Sequence, residues 1–242
     1  MQSRYYEARA ALEEADRRYT ELGDRLGAAQ CLASIGNIHR MQSRYDEARA
    51  AFEEADRRYT ELGDRLGAAQ CLASIGNIHR MQSRYDEARA ALEEADRRYT
   101  ELGNRLGAAQ CLESIGDIHL MQSRYDEARA ALEEADRRYA ELGYRQGTAG
   151  CLLSLGEVHQ MQRRYDDAQA AFTEADRRYT ELGNRLGTAN CLRGLGKVHE
   201  VQGRFVEAET KLTEARILFQ EIGRERDAIS CSEILQSMSS IP

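Results

Sequence analysis

An all-α array of antiparallel helix pairs, an α-solenoid, is the fold class the sequence predicts, and three observations predict it. Cysteines stand at 31, 71, 111, 151, 191 and 231, a constant step of 40 that runs through all 242 residues and marks a repeat array. The one proline is Pro242, at the last position, so the interior holds no proline helix breaker, while Ala, Glu, Arg and Leu dominate the repeats and favour helix. Within each repeat, apolar residues recur at steps of three and four. About twelve helices in a single repeat domain over residues 1–242 are expected.

The elements follow in order. The array opens on a helix over residues 3–22, of the kind labelled B below. Arg25 to Met41, Arg65 to Met81 and their equivalents form helix A, with Leu72, Ile75, Ile78 and His79 at helical spacing. Arg44 to Leu62 forms helix B, where Tyr45, Ala48, Phe52, Ala55, Tyr59 and Leu62 make one apolar stripe. Ser43 is expected to N-cap helix B, with Asp46 three residues on as its capping-box partner. Gly63 is expected in the left-handed conformation that closes helix B, and Asp64 then caps the next helix A. Turns this short make successive helices antiparallel neighbours. The last helix, residues 224–238, carries Arg226, Ser232 and Gln236 where Leu26, Leu32 and Gly36 stand, as a solvent-facing cap and a true end would require. The first B helix has no A helix before it in the sequence, which leaves Tyr5, Ala8 and Leu12 partly uncovered; a start cut from a longer array, or a dimer, is expected.

Leu32, Ile35, Gly36 and His39, followed by Tyr45, Ala48, Phe52 and Ala55, resemble the tetratricopeptide-repeat pattern W-x2-L-G-x2-Y, then Y, A, F and A. Gly36 and Ala48 stand at the small positions that let helices A and B approach closely, and Ala55 at the one that packs the next repeat. Leu for Trp, His39 for Tyr, the missing repeat-end proline and a period of 40 rather than 34 are departures. Longer helices joined by Gly-Asp-Arg-Leu-Gly resemble the repeats of the Pins/LGN adaptors, and the near-identical copies resemble the arrays of fungal NACHT or NB-ARC signalling proteins. The resemblance implies a right-handed superhelix whose A helices line a concave groove that takes peptide segments.

Composition excludes several functions. A formal charge of −7 disfavours a sequence-independent grip on nucleic acid or anionic lipid. No apolar stretch approaches a membrane span and the N-terminus has no signal core, so a cytoplasmic protein without a membrane partner is expected. Each cysteine occupies the same place on parallel helices, whose axes lie about 8–10 Å apart, too far for disulfides, and is read as a small buried apolar residue. His39, His79, His119, His159 and His199 recur with the period, but Cys31 and His39 are eight apart, off metal-ligand spacing, so no metal is expected; each His stands where the tetratricopeptide pattern has Tyr, and that resemblance implies hydrogen-bonded core histidines. No Walker-type loop, cofactor motif or nucleophile–base–orienter set is present, and the expectation is a chain without cofactor or catalysis. Acidic–basic pairs such as Glu53–Arg57 and Glu54–Arg58 read as ordinary surface support.

Comparison of the repeats with one another points to a function. Residues 1–40 and 41–80 differ only at Tyr6/Asp46 and Leu12/Phe52. Between 41–80 and 81–120 the changes include Ala73/Glu113, Asn77/Asp117 and Arg80/Leu120, which with Gln70 share an arc of about 80° on helix A, opposite Cys71, Leu72, Ile75 and His79. Along the A helices this stripe reads Gln30, Gln70, Gln110, Gly150, Asn190, then Ala33, Ala73, Glu113, Leu153, Arg193. Its third and fourth rows read Asn37, Asn77, Asp117, Glu157, Lys197 and Arg40, Arg80, Leu120, Gln160, Glu200. Exposed positions of helix B, such as Glu54, Asp56, Arg57, Arg58 and Glu61, persist through five copies, whereas drift would scatter over both faces. The stripe is therefore expected to bind a protein or peptide: neutral to basic at Asn37, Arg40, Asn77 and Arg80, acidic at Glu113, Asp117 and Glu157, basic at Arg193 and Lys197. Neutral drift or unequal repeat copying is the competing account of the stripe. A homo-oligomer through the uncovered first helix, stacking head to tail, is the alternative function.

Overall fold

Helix-forming residues interrupted only by short turns give an alternating run of helices. The computed structural model describes residues 2–239; Met1 and Pro242 lie outside them. Twelve helices run in order among the described residues: α1 (Gln2–Leu22), α2 (Arg25–Met41), α3 (Tyr45–Leu62), α4 (Arg65–Met81), α5 (Tyr85–Glu101) and α6 (Arg105–Met121). They continue as α7 (Tyr125–Glu141), α8 (Arg145–Met161), α9 (Tyr165–Glu181), α10 (Arg185–Val201), α11 (Phe205–Glu221) and α12 (Glu225–Ser239). Even-numbered helices are of type A and odd-numbered ones of type B.

The turn after each B helix is built as expected. Gly63 lies at φ +73°, and the Asp64 and Tyr59 backbones close the end, N–H to C=O, at 2.9 Å. Asp64 then accepts from the Gly67 N–H at 2.9 Å, as Asp24, Asn104 and Asn184 do at their own helices. Tyr144 holds this place before α8 and makes no side-chain cap.

The turn after each A helix departs from expectation. Ser43 does not cap α3; it sits at φ +59° and closes α2, its N–H donating to Arg40 C=O at 3.0 Å while the Arg44 N–H donates to His39 C=O at 2.9 Å. That pair of bonds satisfies two orphan carbonyls at the end of α2, and serine's local capping preference yields to it. Arg44 takes the N-cap place without a side-chain bond. Asp46 instead accepts from Gln82 Nε2 of the following turn at 3.2 Å.

The chain divides into two compact units, one reaching Ile118 and one starting at His119. In the first, Phe52, Tyr59, Ile75 and Ile78 pack with Ala29, Ala48, Ala55, Ala68 and Cys71, and Leu92, Tyr99, Ile115 and Ile118 form the equivalent layer one repeat on. Burial of Phe52 contributes about 2–3 kcal/mol. Small residues set the helix spacing: a Cβ on Gly76 would lie 2.8 Å from Leu92 Cγ, and one on Gly67 2.6 Å from Tyr59 Cδ1. In the second unit Leu132 packs with Leu155 and Val158, Phe172 with Leu195 and Val198, and Leu212 and Phe219 with Ala228 and Cys231.

All six cysteines are buried free thiols. The five histidines sit inside the packing or at its edge, but the expected hydrogen bond is missing at the Nδ1 of His39, His79, His159 and His199, which has no protein partner. Of the expected surface pairs, Arg58–Glu54 forms at 2.8 Å, whereas Glu53 turns to Arg49 at 3.8 Å and Arg57 to Glu54. An i, i+3 reach is the shorter one for Arg57, and it leaves Glu54 bridging two guanidinium groups. On α1, Ala8 and Tyr19 are exposed and Leu12 half-buried.

Candidate partner-binding face

Stripe residues stand on A helices because three- and four-residue steps keep them on one side, away from the cysteine face. Gln30, Gln70, Gln110 and Asn37 are exposed, while Ala33, Arg40, Ala73, Asn77, Arg80, Glu113 and Asp117 are half-buried. Half-burial of the central rows comes from crowding by the neighbouring A helix. In the first unit Arg80 Nη1 of α4 lies 3.2 Å from Asp117 Oδ2 of α6, and Ser114 Oγ donates to Asn77 Oδ1 at 3.3 Å. Asn77 Nδ2 donates to Ala73 C=O at 3.1 Å, so this amide already uses its acceptor and one of its two donor hydrogens. Arg40 Nη2 reaches Asn37 Oδ1 at 3.3 Å.

Between α4 and α6 these side chains enclose a pocket of about 270 Å³. Gln70, Ala73, Ser74 and Asn77 form one wall, Gln110 and Ser114 the other, with Leu92 and Tyr99 of α5 beneath. Its rim is amide and hydroxyl and its floor apolar. Such a lining offers neutral donors and acceptors to a backbone and takes a small apolar side chain.

The second unit treats its share differently. Arg193 donates to Asp227 Oδ1 and to Asn190 Oδ1, each at 2.9 Å, and its guanidinium lies 5.2 Å from the Phe219 ring centroid. Burial alone would raise the Asp227 carboxyl, but hydrogen bonds from Arg224 and Arg193 outweigh it and hold it below its ordinary value. Leu120 and Leu153 pack onto the core beside Leu132 and Phe172. Glu157, Gln160, Asn190, Lys197 and Glu200 are half-buried on α8 and α10.

Sequence reasoning missed Ser74, Ser114 and Asp227. The serines do not vary among the first copies, and a search for variation passes over them; Asp227 lay in a helix read only as a cap. A usable signal was present: Arg80–Asp117 and Arg193–Asp227 are opposite charges separated by about one repeat. No group of three or more His, Cys, Asp or Glu able to hold a metal occurs among the described residues. None of the described helices is long and apolar enough to cross a membrane.

Two family models match the sequence: soluble NSF attachment protein, SNAP, over residues 8–186, and tetratricopeptide repeat over residues 148–231. No curated protein matches it significantly. Among solved structures, BtubC (BKLC) from P. vanneervenii is similar with a TM-score of 0.74 at 18% identity, covering 92% of each chain. The Rap conjugation gene regulator of plasmid pLS20, solved in complex with the Phr* peptide, has a TM-score of 0.78 at 17% identity, covering 90% of this chain and 60% of that one. A putative kinesin light chain from Podosopora anserina with nearly identical TPR-like repeats has a TM-score of 0.61 at 11% identity, covering 81% of this chain and 96% of that one. At these identities the likeness is one of fold.

Proposed function

The chain belongs to the soluble NSF attachment protein family, and from its tetratricopeptide-type repeats we infer a non-catalytic module that binds a partner protein or peptide through the varied face of its A helices. The observation that carries this reading is the pocket lined by Gln70, Asn77, Gln110 and Ser114, built on the rows where the copies differ. A similar fold binds a peptide in the pLS20 regulator, which lends support by analogy.

In the first unit the pairing of Arg80 with Asp117 removes two charges from the stripe, which shifts recognition there toward amides and hydroxyls. In the second, Leu120 and Leu153 brace the helices, and Glu157, Lys197 and Glu200 supply charge that sets partner choice and on-rate more than affinity. A net charge of −7 argues against nucleic acid as the partner. A cytoplasmic setting, and a place as the sensor or scaffold part of a larger signalling receptor, complete the proposal.

The test is selection from a random-peptide display library on the native chain. Enriched peptides are then measured against Gln70→Ala/Asn77→Ala and against the B-helix control Glu53→Ala/Arg57→Ala. Affinity is expected to fall at least about tenfold for the first and to hold for the second. Equal binding by all three proteins rejects the stripe.

A further inference from the structure

One buried position of the B helices changes while its neighbours stay fixed. Helices α3, α5, α7 and α9 bury the same four places, and three of them hold Ala, Ala and Tyr in every copy, as at Ala48, Ala55 and Tyr59. The fourth holds Phe52, Leu92, Leu132 and Phe172 in turn. Its change from Leu12 to Phe52 is one of two differences between the first two copies, and its return to Leu92 is one of five between the second and third. In the first unit this place lies beneath the stripe where most of the other differences gather, since Leu92 floors the pocket between α4 and α6.

The second unit shows what a larger residue does at this place. Phe172 spans from α8 to α10: a Cβ on Gly156 would lie 2.6 Å from its ring, and one on Gly194 2.7 Å from its Cζ. Gly194 stands where α6 has Ser114, and Phe172 stands where α5 has Leu92. Leucine ends short of that ring tip, and beside Ser114 the space stays open as the pocket of about 270 Å³. None of the residues lining the pocket is charged at pH 7, and one turn further along the same helices Arg80 and Asp117 satisfy each other. A charged ligand side chain would be buried there without a counter-ion, which is costly. What Leu92 lacks relative to a phenyl ring is a few carbon atoms, and an aliphatic side chain supplies them.

Resting on the partner-binding reading of the stripe, we propose that Leu92 determines the specificity of this pocket, which takes one branched aliphatic side chain, leucine or isoleucine, from a peptide segment of the partner. A phenylalanine at the same place closes the pocket from within. Gln70 and Gln110, exposed on its two walls, meet the peptide groups that flank the inserted side chain. Leu92 and Tyr99 give that side chain its apolar contact. In such a pocket one methylene too many or too few is worth about 10–200-fold, so a change of floor residue is read directly as a change of ligand.

The probes are peptides enriched on the native chain from a random-peptide display library, each paired with a version carrying alanine at the residue whose replacement costs most. Both forms are titrated by fluorescence anisotropy into the native chain, into Leu92→Phe and into Ser114→Val, which fills the pocket from the opposite wall. Phe52 already packs under Gly36 as Leu92 does under Gly76, so Leu92→Phe is expected to fold, and an unchanged circular dichroism spectrum checks it. The costliest residue is expected to be leucine or isoleucine. Unaltered peptides are expected to lose at least about tenfold in affinity on either substitution, and the alanine versions to bind all three proteins alike. A costliest residue that is charged or aromatic, unaltered peptides that bind Leu92→Phe as tightly as the native chain, or an equal loss for both peptide forms overturns the proposal. Peptides weakened by Gln70→Ala/Asn77→Ala but not by Leu92→Phe overturn it and leave the partner-binding stripe standing, whereas peptides indifferent to both reject the stripe as well.

Discussion

Arg80 Nη1 lies 3.2 Å from Asp117 Oδ2, so a cation on α4 and an anion on α6 neutralise each other across adjacent A helices. Both side chains are about three-quarters buried, at 23% and 26% exposure, which reduces solvent screening. A double-mutant cycle with Arg80→Ala and Asp117→Ala is expected to give a coupling of about 0.5–1 kcal/mol, at the upper end of partly exposed pairs. Urea denaturation measures it. A coupling indistinguishable from zero means the two charges act separately and the stripe keeps them for a ligand.

Ser83 holds φ +59° at the close of α4, and Gly203 holds φ +73° at the equivalent turn after α10. A side chain in this left-handed region costs about 1 kcal/mol, partly offset by the unfolded-chain entropy that serine saves over glycine. Ser83→Gly is therefore expected to stabilise the protein by about 0.5 kcal/mol, read as a raised urea midpoint with an unchanged slope. A lowered midpoint means that the serine hydroxyl makes a compensating bond.

The same turn marks where sequence reading stopped. Helix limits at Arg25, Met41, Arg65 and Met81 were legible because Gly63 and Asp64 are strong local signals at fixed places. Ser43 carried an equally local signal for capping, but closure of α2 through the His39 and Arg40 carbonyls satisfies more backbone, and that competition shows only in three dimensions. In the candidate site the exposure of Gln30, Gln70 and Gln110 followed from helical phase alone. The pairing of Arg193 with Asp227 did not, because it depends on how closely consecutive A helices pack.

Buried histidines set a direction for the pH dependence. Burial holds the imidazoles of His39, His79, His159 and His199 below their ordinary value; Arg44 and Arg9 add to the effect at His39, and Glu47 and Glu13 oppose it. A base with a depressed folded value binds fewer protons folded than unfolded. Stability is thus complete above about pH 6.5 and falls as pH drops through that ordinary value toward the folded one. Burial raises the carboxyls of Asp56, Asp136 and Asp176, and protonating them recovers part of the loss only near and above the ordinary aspartate range of about pH 4. Urea midpoints are expected to fall between about pH 7 and pH 5, less steeply in His79→Gln. A midpoint that holds or rises over that interval contradicts the assignment.

Cys71 and Cys111 test the packing by their chemistry. Both thiols are buried, and burial pushes each up to about 12. Thiolate is the reactive form, so the native chain is expected to resist a disulfide reagent at pH 8 and to react fully in denaturant. Rapid labelling of Cys71 or Cys111 in the native protein places a solvent path beside α4 or α6 and argues against the close A/B packing.

Gly76 carries a steric demand that reaches the backbone of the facing helix as well as a side chain. A Cβ there would stand 2.8 Å from Leu92 Cγ and 3.2 Å from the Ala88 carbonyl, so a side chain must move the helices as well as the leucine. Gly76→Leu is expected to cost about 3 kcal/mol, at the upper end of overpacking, with Gly76→Ala costing less because its better helix propensity returns about 1 kcal/mol. Repeat arrays couple mainly to nearest neighbours, so the damage should centre on α4 and α5 and fade with distance along the chain. Hydrogen exchange resolves this, as accelerated amides on α4 and α5 with α9 to α11 unchanged. Acceleration of every helix alike means that the array unfolds as one cooperative block, and an unchanged midpoint means that Gly76 does not set the A/B spacing.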